Sequence, residues 1–113
     1  SEVFDTDSDY DNSTNYRFTP TTAGKYFVYL QARFSWNSGN NDTANLKISK
    51  NGSTKFSAQI NNGANWYGTL NCYGIVDMNG SSDYLEAFGS YNASLPMITA
   101  NGDTHFGAYR III

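Results

Sequence analysis

The sequence predicts an all-β domain, an antiparallel sandwich or jelly roll built from two sheets. Three observations support that prediction. Asn, Ser, Thr, Gly and Tyr dominate while helix formers are scarce. Turn signals such as Asn-Gly recur at short intervals along the 113 residues. Between them, apolar residues alternate with a period of two, as strands require. The length suits one domain, 1–113, with a single core and is too short for two.

The elements follow in order. Phe18 ends a first short strand, and TPTTAGK (19–25) turns the chain with Gly24 free to take positive φ. KYFVYLQARFSW (25–36) is the strongest strand. Tyr26, Val28, Leu30, Ala32, Phe34 and Trp36 share one face; Phe27, Tyr29, Gln31, Arg33 and Ser35 share the other. NSGNND (37–42) is a loop by composition. Residues 43–60 then read as a hairpin: Leu46 and Ile48 point inward, Asn51-Gly52 turns, and Phe56, Ala58 and Ile60 return.

After a loop at 61–65, WYGTLNCYGIVDM (66–78) sets Trp66, Leu70, Cys72, Val76 and Met78 on one face and Tyr67, Tyr73 and Ile75 on the other. NGSSD (79–83) turns into YLEAFGSY (84–91), where Leu85, Ala87 and Tyr91 oppose Tyr84, Glu86 and Phe88. PMITANGD (96–103) reads as a link to a final strand, THFGAYRIII (104–113). About eight strands and no helix result.

Several of these strands are apolar on both faces, although a sandwich strand needs only one. Ending on Ile111–Ile113 is also unusual for a monomer, since termini tend to fray. Both features are accounted for if the outer face of one sheet packs on other subunits. The expected interface residues are Phe27, Tyr29, Tyr67, Tyr73, Ile75, Phe88 and Tyr109. The alternative is that scattered surface aromatics need no partner.

Charge narrows the partners. A net charge of −3 argues against a nucleic-acid backbone or an anionic membrane surface. No run approaches the roughly 18–20 apolar residues of a membrane span. The chain starts at Ser1 without Met, which suggests a fragment or processed part of a longer polypeptide. Cys72 is alone, so an intrachain disulfide is excluded and the thiol is expected to act as a small core hydrophobe. Sequons at Asn12, Asn41, Asn51, Asn79 and Asn92 mark surface loops.

Nothing points to catalysis. His105 is the single histidine, lies in an expected strand and lacks a Gly-x-Ser-x-Gly elbow. Glu2 and Glu86 are the only glutamates; Asp77 and Asp83 flank the MNGSS turn near Glu86 and read as solvated ends. No phosphate loop is present. The chain is therefore expected not to be an enzyme and to need no cofactor.

The stretch DTDSDYDNSTNY (5–16) places Asp5, Asp7, Asp9 and Asp11 at alternating positions, on one side of an extended chain. An EF-hand loop would need Gly and Glu where Tyr10 and Tyr16 stand. Solvated edge charge that discourages sheet-to-sheet association is one reading. A hard cation such as calcium, held by Asp5, Asp7 and Asp9, is the other.

Residues 10–31, YDNSTNYRFTPTTAGKYFVYLQ, resemble the opening signature of the globular-head domain of the complement first-component recognition subunit, which shares a superfamily with tumour-necrosis-factor-like jelly rolls. The pieces are Tyr10-Asp11, then Phe18, Gly24, Tyr26, Val28 and Leu30. The Phe–Gly–Tyr spacing matches; the Tyr-Asp pair sits one residue farther upstream, and Val28 and Leu30 replace aromatics. NGSSDYLEA and HFGAYRI are similar to two later strands of the family, with Gly107-Ala108 in place of Ser-Gly.

The resemblance implies a compact homotrimer packed through aromatic-rich strands, and it leaves calcium open because related domains bind it. The wording is most like bacteriophage versions, found in tail fibres, capsid fibres and decoration proteins. The function expected is a non-enzymatic structural and adhesion module on the virion surface. Its partners would be itself, other virion proteins and host surface glycans or receptors, with no nucleic acid and no membrane. Two alternatives stand: a secreted trimeric ligand head for a protein receptor, and a monomeric carbohydrate-binding module using Trp36, Trp66 or Tyr67 as sugar platforms.

Overall fold

A computed structural model describes residues 10–11, 17–36, 42–62, 66–91, 97–99 and 105–111. The described residues hold nine strands: β1 (Tyr10–Asp11), β2 (Arg17–Phe18), β3 (Gly24–Trp36), β4 (Asp42–Lys50), β5 (Ser53–Asn62), β6 (Trp66–Met78), β7 (Leu85–Tyr91), β8 (Met97–Thr99) and β9 (His105–Ile111).

The turns are made where the sequence supplies residues that tolerate positive φ. Asn51 and Gly52 stand at φ 52° and 85°. They join Lys50 to Ser53 in a two-residue connection whose twist suits the β4–β5 hairpin. The register then slips between Ile48 and Ser49, which leaves Lys55 as the extra residue of a bulge. Gly24 has φ 151° as expected, and Gly80, at φ 76°, lies against the backbone of Thr22 and Ala23, where a β-carbon would not fit.

The strands form two antiparallel sheets. One runs β1-β2-β7-β4-β5. In the other, β3 pairs with β6 along one side, and with β9 and β8 in succession along the other. Three antiparallel pairs are nested: β4 with β5, enclosed by β3 with β6, enclosed in turn by β2 with β7. Successive pairs alternate between the sheets, so the chain repeatedly crosses the core.

Period-two alternation fixes what lies in that core. Tyr26, Val28, Leu30 and Ala32 of β3 and Cys72, Val76 and Met78 of β6 are buried against Ala44, Leu46 and Ile48 of β4 and Leu85 of β7. Phe18, Phe56, Ala58, Ile60 and Phe106 close its margins. The Tyr26 hydroxyl donates to the Thr22 carbonyl at 2.7 Å, so burying this ring leaves no unpaired O–H. Phe18 packs edge-on to Tyr26, with centroids 5.8 Å apart.

The long strand, the Asn-Gly hairpin and the inward placement of Tyr26, Val28, Leu30, Ala32, Leu46, Ile48, Cys72, Val76, Met78 and Leu85 agree with the sequence reading. The link expected at 96–103 does not hold throughout, because 97–99 is strand β8, paired with Arg33, Phe34 and Ser35. Three residues after a proline carry no alternation of their own; β3 supplies the pairing. For Phe34, Trp36, Trp66 and Tyr67 the backbone alone is described, with Trp36 opposite Trp66 and Ser35 opposite Tyr67.

Candidate functional site

The outward face of the β6–β3–β9 sheet is built by register. Phe27 stands between Ile75 on β6 and Tyr109 on β9, and Tyr29 stands between Tyr73 and Gly107. Phe27 and Tyr29 are odd-numbered residues of β3 whose even-numbered neighbours Tyr26, Val28 and Leu30 are in the core. The rings therefore meet across three strands. Phe27 lies 6.0 Å from Tyr73, 5.4 Å from Tyr109 and 6.2 Å from Tyr29, all as tilted pairs within the favourable range for aromatic contacts.

This face is apolar where most proteins would be wet. Tyr73, Ile75 and Tyr109 are 64%, 57% and 58% exposed, while Phe27 and Tyr29 are half-buried among them. At one end Lys25 closes the patch with a 2.9 Å ion pair to Asp77 across the β3–β6 ladder. At the other end Gln31 stands between Asn71 and His105, with Arg33 beyond it opposite Thr69. An apolar centre with a polar rim is the anatomy of a protein–protein interface. His105 packs edge-on to Tyr29 at 5.7 Å, on the rim of the patch.

Phe88 is not part of this surface. It lies on β7 opposite Lys47, on the outward side of the other sheet, so the sandwich thickness separates it from Phe27 and Tyr29. Alternation showed which side of its own strand Phe88 occupies. It could not show which sheet β7 joins. Of the other residues expected at an interface, the structure brings together Phe27, Tyr29, Tyr73, Ile75 and Tyr109 on one face, while the side chain of Tyr67 lies outside the described set.

Asp5, Asp7 and Asp9 lie outside the described residues. Among the described residues, no group of three His, Cys, Asp or Glu side chains is placed to hold a metal ion. Asp77, Asp83 and Glu86 are instead paired within the fold. Asp83 accepts from Asn51 Nδ2 and from the Asn79 backbone N–H, both at 2.9 Å, and pairs with Lys50 at 3.4 Å. The hydrogen bond from Asn51 is the chief reason its pKa is lowered. Asp77 is held below the usual carboxylate range by its hydrogen bond from Lys25 and then by that ammonium's charge. Asn79 Oδ1 accepts from the backbone N–H groups of Ser81, Ser82 and Asp83, which closes the turn.

Sequence reasoning read Asp77 and Asp83 as solvated strand ends. In the structure the Asp77 carboxylate stays largely exposed and pairs with Lys25 of β3, whereas Asp83 ties the 50–52 turn to the 79–84 segment, where Asn51 and Tyr84 also exchange hydrogen bonds at 3.0 Å. Glu86 accepts from Arg17 at 3.4 Å, and the same guanidinium lies 3.9 Å above the Tyr84 ring. The Asn51 and Asn79 sequons do lie in surface turns, with both side-chain amides engaged in these contacts. Cys72 is buried, as expected, and burial raises its pKa.

A comparison with models of known protein families finds no match, and no curated protein matches the chain.

Proposed function

We propose that this chain is a jelly-roll module that associates into a homotrimer through the β6–β3–β9 face. In this reading it serves as a non-enzymatic structural and adhesion head on a bacteriophage virion. The observation that supports it is the continuous patch of Phe27, Tyr29, Tyr73, Ile75 and Tyr109, formed from three strands that are distant in sequence. Burying it would remove apolar surface from water at roughly 25 cal/mol per Å².

The nested pairs β4·β5, β3·β6 and β2·β7, alternating between two sheets, support the jelly roll over a simple meander. The family signature in 10–31 supports the trimer, and its Tyr10-Asp11 pair opens β1 opposite Arg17 and Phe18. The resemblance to phage versions supports the virion.

Native mass in solution tests the association. Three times the 12.5 kDa chain is expected, and a monomer at every concentration would overturn the reading. Labelling of purified particles with an antibody against the domain tests the location: signal on fibre tips or the capsid surface is expected.

A further inference from the structure

The outward face of the β7–β4–β5 sheet has the opposite character. Lys47 stands between Phe88 and Ser57, and Asn45 stands between Ser90 and Gln59, one step along the strands. Asn45, Lys47, Thr54, Ser57, Phe88 and Ser90 line a shallow, open depression of about 400 Å³. Phe88 lines it with 43% of its surface exposed, and Lys47 Nζ stands 5.0 Å from the ring centroid. The side chains of Asn45, Ser57 and Ser90 make no hydrogen bond to another described residue, in contrast with the fully engaged 79–83 turn.

We propose that this depression binds a sugar that carries a carboxylate. The C–H face of the pyranose rests on Phe88, its carboxylate takes Lys47 Nζ, and its hydroxyls meet Asn45, Ser57 and Ser90. The inference deepens the adhesion reading above, since the face opposite the proposed trimer contact remains open to a ligand.

The chemistry favours this class over others. A single exposed ring ringed by short hydroxyl and amide groups offers stacking and many uncommitted donors and acceptors, which suits a polyol and not a lipid tail. One cation suits one carboxylate, whereas a nucleic-acid strand calls for several cations along its backbone. Among the described residues no acid lines the depression to repel it, and the next residue outward on β7, Glu86, is turned to Arg17. Lys47 gives up its place over the ring and gains a charge-assisted hydrogen bond.

Backbone amide NMR during titration with trigalacturonate, and separately with neutral maltotriose, tests the site. Trigalacturonate should shift the amides of 45–47, 57 and 88–90 and bind about tenfold more tightly than maltotriose. Phe88→Ala should abolish binding of both sugars, and Lys47→Gln should remove only the preference for the acid. Both residues are exposed, so an unchanged melting temperature verifies the fold of each variant. The proposal is overturned by absence of shifts on this face, by equal affinity for the two sugars, or by binding that survives Phe88→Ala. Native mass measured on the same samples keeps the two readings apart: a monomer that binds trigalacturonate retains this site and loses the trimer.

Discussion

The ring of Tyr29 lies over Gly107 on the neighbouring strand, in the space where any other residue would place its β-carbon. A glycine on β9 thus lets the second outward aromatic of β3 lie flat across the sheet and reach His105. Replacing Gly107 by Ala should lift this ring and disturb the surface while sparing the core. In the proposed trimer, self-association is expected to weaken by about 2- to 10-fold, the scale of one aromatic pair, in sedimentation equilibrium. Association equal to that of the parent would separate Tyr29 from the interface.

Ile75→Glu should have a larger effect on assembly and almost none on the fold. Ile75 is mostly exposed on the single sandwich, so the substitution should change unfolding free energy by no more than about 0.5 kcal/mol. Within an interface it would bury an unpaired carboxylate. The expected product is a folded monomer; a variant that still assembles would place the contact elsewhere.

Inside the sandwich, the ring of Phe56 fills the space beside Gly74 that a side chain would need. Gly74→Ala should destabilise the protein by about 1–3 kcal/mol through overpacking, read from the midpoint of urea unfolding. Trimming the ring in the same background, Phe56→Leu, should restore part of the loss. Additive destabilisation would show that the two positions do not compete for this space.

Acid should loosen the end of the sandwich held by Asp77 and Asp83. Lys25 lowers the first pKa and Asn51, above all, lowers the second, so the folded state binds protons less readily than the unfolded chain. Their contribution is complete above the unfolded carboxylate value of about 4 and is lost as pH falls through the lower folded values. Melting temperature should therefore decline below pH 4, with a shallower slope in the Asp77→Asn, Asp83→Asn double variant. Parallel slopes would assign the acid loss to other groups.

The Cys72 thiol should resist modification. It is buried in the core and its pKa is raised by that burial, so little thiolate is available at pH 8. Reaction with a water-soluble disulfide reagent should be slow in the native protein and accelerate sharply in denaturant. A fast native reaction would mean that β6 opens locally.

Strand content was legible because alternation is a local signal. Tyr26, Val28, Leu30 and Ala32 differ from Phe27 and Tyr29 in burial simply by parity along an extended chain. Asn51-Gly52 was legible for a similar reason, since few residue pairs accept two successive positive φ values. Strand β8 was not legible, because its pairing depends on β3, more than sixty residues away. The role of Asp83 was hidden in the same way, as its partners Lys50 and Asn51 come from the turn between β4 and β5.

By itself, then, the sequence determined an all-β chain, its inward faces and an excess of aromatic surface. These follow from residue type and a period of two. Only the tertiary structure decided which aromatics share a surface. Phe27, Tyr29, Tyr73, Ile75 and Tyr109 belong together because β6, β3 and β9 are hydrogen-bonded neighbours. Phe88, equally outward on its own strand, faces the other way because β7 pairs with β4 and β2. Parity fixes a side relative to one strand, whereas membership of a sheet is set by pairing between segments far apart in the chain.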